Sequence, residues 1–298
     1  MRFLEEGPDI PDRLLHERDA GRVVFLCGAG VSMPFFPSFK DLAEYVIGQL
    51  KPSVESPARK AFEAWSAPQD DSSYSFPMSL DQIFNLLQME FGREKINLHV
   101  AECLSATDLP PSSHEHHGIV GRISTDSNGN PQIVTTNFDL LFEEAIRGAK
   151  TFTPPSFPDL KHGMPLRGIT YLHGRLEESR HSHDYILSSS DFGRAYLVQG
   201  WATNFVRQLL ESFTVVLLGY QAEDPPIKYL LQGLNSSYEH VRDRLYAFDQ
   251  GSPDEVQSKW ADRGVTPIPY GNSPNHSALW NTLNEWAKRA DNPKQWRQ

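Results

Sequence analysis

The sequence predicts an α/β protein built on a doubly wound parallel sheet with a small helical insertion module. Short apolar segments rich in Val, Ile and Leu alternate with longer segments of helical periodicity. Several of the apolar segments are followed directly by glycines and polar residues. The 298 residues are enough for one large α/β domain that carries an insertion.

The first predicted element is a strand at Val23–Leu26, whose residues suit burial on both faces of a parallel sheet. In "CGAGVS", which follows, Gly28 and Gly30 permit a tight turn and a close approach of ligand to backbone. A helix is expected from an N-cap at Ser38 to Lys51, where apolar residues recur at helical spacing. Strand, glycine turn and helix form the Rossmann-like arrangement that surrounds a phosphate with backbone N–H groups.

This turn is an incomplete dinucleotide fingerprint. Met33 stands where G-x-G-x-x-G has its third glycine. No acidic residue follows at the end of a second strand about 20 residues further on. A plain strand-to-helix turn explains the motif equally well, so both interpretations stay open at this point.

A helical region is expected between the first helix and the second strand. One helix is predicted near Ala58–Trp65, and residues 79–104 have helical apolar faces with Ser79 as N-cap. Ser112 and Glu115 have the spacing of a capping box. The domain boundaries that follow from this pattern are an inserted helical module at 52–118 and a nucleotide-binding domain at 1–51 and 119–298.

The second half of the chain predicts the rest of the sheet. Its first strand is Gln132–Thr135, with a helix from about Phe138. The remaining predicted elements are a strand at Ile169–Leu172, a helix at Gly200–Phe213, a strand in "TVVLLG", a helix in "PPIKYLLQGL", strands in "RLYAFD" and "VTPIPYG", and a closing helix at Ser277–Arg289.

Four strands end in polar residues or glycines, namely in "CGAGVS", "TTNFD", "HG" and "GYQAEDP". Ligands of open α/β sheets bind outside the carboxyl ends of the strands, so the four endings predict one crevice. Each ending also has a structural interpretation. Thr136 or Asn137 can cap a helix, and His173 can be a hydrogen-bonded packing residue. The occurrence of all four in this order favours a binding site.

At these residues the sequence resembles the sirtuin family. G-A-G-V-S, T-T-N-F-D and H-G stand in the family's order on the corresponding strand ends, and "FFPSFKDL" is similar to the loop after the first glycines. The resemblance runs from about Gly21 to Phe248. It is greatest to the sirtuin-like effector domains of bacterial antiphage defence systems, which hydrolyse NAD. It implies a Rossmann-like domain with NAD as substrate.

The sequence also departs from the protein-deacetylating sirtuins. Their small zinc module needs four cysteines, whereas this chain has only Cys27 and Cys103, so no zinc is expected. Ser38 and Lys40 stand where the family's loop has aspartate and arginine, although Phe39 matches. A protein deacylase is therefore the least favoured of three functions. The first is an NAD⁺ hydrolase, and the second is a non-catalytic NAD or ADP-ribose sensor.

The resemblance implies a role for each motif residue. Asn137 would hold the attacking water and the ribose hydroxyls, and Asp139 would bind the nicotinamide carboxamide. His173 would act as general base, for which an unperturbed pKa of ~6.5 is suitable. Asp224 either contacts the adenosine ribose or caps the next helix. The other implied cofactor contacts are Gly28, Ala29, Gly30, Ser32, Phe39, Thr136 and Gly219.

The segment "HEHH", His114 to His117, has residue types that bind metals. Only His114 and His117 have the i, i+3 spacing of one helix face. A solvated helix start is therefore favoured over a metal site.

The bulk properties limit the partners and the compartment. A net charge of −10 argues against a broad nucleic-acid-binding surface. No apolar segment approaches the ~18 residues of a membrane span, and the N-terminus lacks a signal-peptide core. We expect a cytoplasmic protein. The resemblance further implies a toxic, NAD-depleting effector of antiviral defence, which a homo-oligomer, a regulatory partner protein or a C-terminal domain would restrain.

Overall fold

A computed structural model describes residues 1–67, 78–105, 108–176, 184–220, 231, 244–261 and 263–292. In these ranges the chain forms a seven-stranded sheet whose neighbouring strands all pair in parallel. The strands are β1 (Val23–Cys27), β2 (Gln132–Thr135), β3 (Thr151–Phe152), β4 (Gly168–Tyr171), β5 (Thr214–Leu218), β6 (Leu245–Gln250) and β7 (Thr266–Tyr270). Their spatial order is β3-β4-β2-β1-β5-β6-β7. The predicted doubly wound, Rossmann-like fold is confirmed.

The strand order reverses at β1. From β1 the chain adds β2 beside it, then β3 at the edge and β4 between β2 and β3, and it returns to β5 on the other side of β1. In the sheet register, Cys27 is level with Thr135 of β2 and with Leu218 of β5. The carboxyl ends of these three strands therefore lie side by side at the topological switch point, where open α/β sheets bind ligands.

Some helices cover the sheet, and others pack together in a separate cluster. They are α1 (Asp12–Asp19), α2 (Phe39–Leu50), α3 (Pro57–Ser66), α4 (Leu80–Phe91), α5 (Arg93–Leu104), α6 (Glu115–Ser124), α7 (Leu141–Ala145), α8 (Ser189–Phe192), α9 (Trp201–Ser212), α10 (Pro253–Trp260) and α11 (Ser277–Asp291). A π-helical segment, Gly193–Val198, continues α8. No helix among the described residues is long and apolar enough to cross a membrane.

The local sequence signals explain most element ends. Ser38 caps α2 in a capping box with Asp41, and Lys51 ends that helix in the left-handed conformation. The predicted capping box of Ser112 and Glu115 is wrong, because a 3₁₀ turn covers Ser112 and α6 begins only at Glu115, with His114 as N-cap.

The apolar core has three parts. Alternate residues of β1 pack on opposite faces of the sheet, with Val24 and Leu26 in one cluster and Val23 and Phe25 in the other. The third part is formed by α2–α5, which together are the helical cluster. They pack against aromatic and aliphatic side chains from outside these helices, namely Phe138, Leu141, Tyr185 and Leu187. The division into a module at 52–118 and a domain at 1–51 and 119–298 stays a prediction.

Candidate functional site

A buried polar cluster lies where β1 and β2 end. Ser32 follows the glycine turn after β1, and Asn137 and Asp139 lie in the loop between β2 and α7. The hydroxyl of Ser32 donates to Asp139 Oδ2 at 2.8 Å and accepts from Asn137 Nδ2 at 2.9 Å. All three side chains are buried. The structure thus joins three of the predicted site residues by direct hydrogen bonds.

Asn137 is held from several directions. Its Nδ2 also donates to the carbonyl oxygen of Gly28 at 3.2 Å, and its backbone N–H donates to Thr135 Oγ1 at 3.1 Å. Both amide hydrogens are therefore engaged, and Oδ1 has no partner among the described residues. The carbonyl oxygen is consequently the atom of this amide that remains for a ligand or a water molecule.

His117 is a cluster residue that the sequence analysis missed. It is fully buried on α6, with its Nε2 3.2 Å from Ser32 Oγ and its ring edge-on to Phe142 at a centroid distance of 4.6 Å. The interpretation of "HEHH" as a solvated helix start is wrong for this histidine. Helical spacing could have identified it, because its face of α6 also carries the buried residues Val120, Gly121 and Ser124.

Burial dominates the electrostatics of the cluster. It raises the pKa of Asp139, although the hydrogen bond from Ser32 acts in the opposite direction. Burial lowers the pKa of His117 to about 3, so its ring is neutral at pH 7. Ser32 has one hydrogen to donate, and Asp139 receives it. His117 Nε2 then carries the hydrogen of the neutral ring and donates to Ser32.

The glycines of the first turn make close contact with the turn after β5. The N–H of Gly28 donates to Leu218 O, and that of Gly30 donates to Gly219 O, both at 2.9 Å. A Cβ at Gly30 would lie 2.9 Å from Gly219 Cα, and Gly219 itself has a φ of +62°. Glycine is therefore required here by the packing of two backbones.

Most amides of this turn are used within the protein. The N–H groups of Val31 and Ser32 donate to the carbonyl oxygens of Gly28 and Ala29. Among the N–H groups of residues 28–32, only that of the exposed Ala29 has no hydrogen-bond partner in the described part of the chain. The turn as it stands can offer a phosphate one amide, which is fewer than the predicted set of surrounding N–H groups.

His173 lies apart from the Ser32 cluster, just after β4. It is buried, its Nε2 is 2.9 Å from the hydroxyl of Tyr196, and its ring is edge-on to Phe192. No hydrogen bond joins His173 to Ser32, Asn137 or Asp139 in the described part of the chain. Burial lowers the pKa of His173 to about 3, so the unperturbed value expected from the sequence is wrong.

The remaining predicted contacts have packing partners of their own. Thr136 is half-buried, with Oγ1 3.5 Å from Cys27 O. Phe39 packs against Phe84 at a centroid distance of 5.1 Å. Asp224 lies outside the described residues. The described residues contain no group of three or more His, Cys, Asp or Glu side chains that could hold a metal ion.

Comparisons with known proteins match different shares of this chain. Residues 131–268 match the family model described as "SIR2-like domain". The chain is also 33% identical over 310 residues to "Uncharacterized protein y4cA" of Sinorhizobium fredii (strain NBRC 101917 / NGR234), an alignment that covers 98% of this chain. The chain spans about a quarter of that relative's length, since 25% of it is covered. From β2 into β7, the chain is therefore similar to the SIR2-like domains, an NAD-dependent enzyme family.

Proposed function

We propose that this chain hydrolyses NAD⁺ to nicotinamide and ADP-ribose. The observation that carries the proposal is the hydrogen-bonded trio of Ser32, Asn137 and Asp139 at the switch point of the sheet. Asn137 and Asp139 are the motif residues to which the sirtuin resemblance assigns the reacting end of NAD⁺. The SIR2-like match over residues 131–268 includes both of them.

In the proposed reaction, the bond between the nicotinamide nitrogen and ribose C1′ breaks, and its electron pair neutralises the pyridinium. Water attacks C1′ and loses a proton, which gives ADP-ribose, nicotinamide and H⁺. Asn137 Oδ1 accepts a hydrogen bond from the attacking water, because the Nδ2 hydrogens are engaged with Gly28 and Ser32. Asp139 binds the carboxamide of the leaving nicotinamide.

His173 receives a proton from the water or from a ribose hydroxyl in this proposal. A neutral imidazole at pH 7 has the free lone pair that a general base needs. Its low pKa makes it a weak base in the ligand-free protein, so the entry of a charged ligand must raise that pKa for efficient transfer.

The same low pKa supports a second candidate, a non-catalytic NAD or ADP-ribose sensor. Such a protein would need the polar cluster for binding and would have no use for a base. A protein deacylase has less support, since the sequence has only two cysteines.

The role of toxic, NAD-depleting effector in antiviral defence belongs to the same proposal and rests on the resemblance. A cytoplasmic location and restraint by a homo-oligomer, a partner protein or a further domain would be part of that role. Activity in the isolated chain can therefore require release from such restraint. Expression in bacteria with and without phage infection, with cellular NAD measured, tests this part.

The enzymatic test is an assay of nicotinamide and ADP-ribose release from NAD⁺ by the purified chain. We expect His173→Gln to lower kcat by about 10²–10⁴-fold, the usual contribution of a positioned base, while NAD⁺ still binds. Asn137→Ala should lower kcat at least as much. Asn97→Ala is the matched control, because Asn97 is also a buried asparagine but lies on α5. Tight NAD⁺ binding by the purified chain without turnover, together with unchanged cellular NAD in phage-infected bacteria that express it, would refute the hydrolase and favour the sensor.

A further inference from the structure

Tyr196 is a buried tyrosine to which neither the sequence motifs nor the proposed reaction assigns a role. It lies on the π-helical segment Gly193–Val198, and its hydroxyl is 2.9 Å from His173 Nε2. π-Helical turns are rare and occur often at functional sites. Tyr196 thus engages one of the two ring nitrogens of the histidine that the proposed function needs as a base.

The position of Tyr196 is fixed by contacts on both sides of it along the chain. Thr203 Oγ1 donates to the carbonyl oxygen of Tyr196 at 2.6 Å. On the other side, Asp191 forms ion pairs with Arg93 and Arg194, each at 2.9 Å. These contacts hold the segment that carries Tyr196, which keeps the tyrosine hydroxyl beside the imidazole ring and lets it orient that ring.

We infer that Tyr196 is a positioning residue for His173 and that the Nε2–H of the ring donates to the Tyr196 hydroxyl oxygen, because Nδ1, which has no partner among the described residues, must be unprotonated to act as the base. The lone pair of the neutral ring then lies on Nδ1. The hydrogen bond at one ring nitrogen decides which nitrogen carries the proton, and only an unprotonated nitrogen can act as a base. The direction of this hydrogen bond rests on the proposed function, because a tyrosine hydroxyl can donate as well as accept, whereas the contact between the two side chains does not.

The direct test is nitrogen NMR of the full chain labelled with ¹⁵N-histidine. The His173 signals are identified by their loss in His173→Gln. We expect the intact protein at pH 7 to have the proton of His173 on Nε2, and Tyr196→Phe to lose this preference. A proton on Nδ1 in the intact protein would overturn the inference, whether or not the chain hydrolyses NAD⁺.

The kinetic test compares two tyrosine variants. Tyr270 forms a hydrogen bond of the same kind, with its hydroxyl 3.0 Å from His276 Nδ1, so Tyr270→Phe is the matched control. We expect Tyr196→Phe to lower kcat at least about 10-fold, a part of the effect of the base itself, with KM for NAD⁺ within twofold. Tyr270→Phe should leave both constants within twofold. An unchanged kcat in a folded Tyr196→Phe protein would contradict the positioning role.

Discussion

Ser32 is the residue on which the polar cluster depends. It donates to Asp139, accepts from Asn137 and lies 3.2 Å from His117 Nε2. We expect Ser32→Ala to lower the free energy of unfolding by about 1–3 kcal/mol, because it leaves buried polar groups without partners. Urea denaturation measures this loss. Ser124→Ala, which removes a buried hydroxyl bonded to a single helix carbonyl, should cost less; equal losses would mean that Ser32 has no special structural role.

The two buried histidines predict a dependence of stability on pH. Burial lowers the pKa of His117 and His173 to about 3, whereas both are near ~6.5 in the unfolded chain. Between pH ~6.5 and ~3 the unfolded chain therefore binds more protons, so the free energy of unfolding falls as the pH falls. Asp139 acts in the opposite direction, because its raised pKa removes stability as the pH rises above ~3.9.

Urea denaturation at pH 7 and pH 5 should show this effect. Each histidine would contribute about 1–2 kcal/mol of loss between these values. The double variant His117→Gln, His173→Gln removes both titrating rings, so its stability should change less between the two pH values. The same loss in the double variant and the parent chain would show that other groups cause it.

The motif residues could be predicted from the sequence because they are polar side chains that closely follow predicted strands. Ser32, Asn137 and Asp139 follow strand ends, and the parallel sheet brings those ends together. His117 comes from a helix before β2, so no strand-end pattern indicates it. The pKa of His173 depends on Phe192 and Tyr196, which are packed around it from about 20 residues further along the chain.

Among the elements, the turns after β1 and β5 are fitted to each other through glycine. A Cβ at Gly219 would lie 2.5 Å from Val31 N, and the φ of +62° is unfavourable for other residues. Gly219→Ala should therefore lower the melting temperature and weaken NAD⁺ binding together. Gly48→Ala is the control, because Gly48 lies in α2 with open space around it, and alanine there should stabilise the helix by up to about 1 kcal/mol. Normal stability of Gly219→Ala would contradict the fitted contact.

Strong periodic or apolar signals predicted most elements, and tertiary contacts decided the others. β1, β2 and β5 are short buried apolar segments and stand where the sequence placed them. The helix expected from Phe138 begins at Leu141, because Asp139 Oδ1 accepts the Leu141 N–H and keeps the preceding loop out of the helix. β3 has only two residues, which is too short for a periodic pattern.

At the scale of the whole molecule, Asp191 connects the helical cluster to the segment that carries Tyr196. Only 2% of its side chain is exposed. Its carboxylate forms an ion pair with Arg93 of α5 at 2.9 Å and accepts a hydrogen bond from Gln88 Nε2 of α4 at 3.1 Å. Arg93 also donates to Tyr185 O at 3.2 Å. Arg93 also pairs with Asp184 at 3.1 Å. The helices therefore hold the neighbourhood of His173 in several places, of which the buried carboxylate of Asp191 is one.

Loss of this connection should be costly, because removal of one partner leaves a buried charge less compensated. We expect Arg93→Leu to lower the free energy of unfolding by about 2–4 kcal/mol, with Arg194 and Gln88 still in contact with Asp191. Arg59→Leu is the matched control, because its partner Glu63 is exposed and such pairs contribute about 0–1 kcal/mol. Urea denaturation of both variants decides the matter. A similar small loss in the two variants would mean that the helical cluster and the Tyr196 segment are not coupled through Asp191.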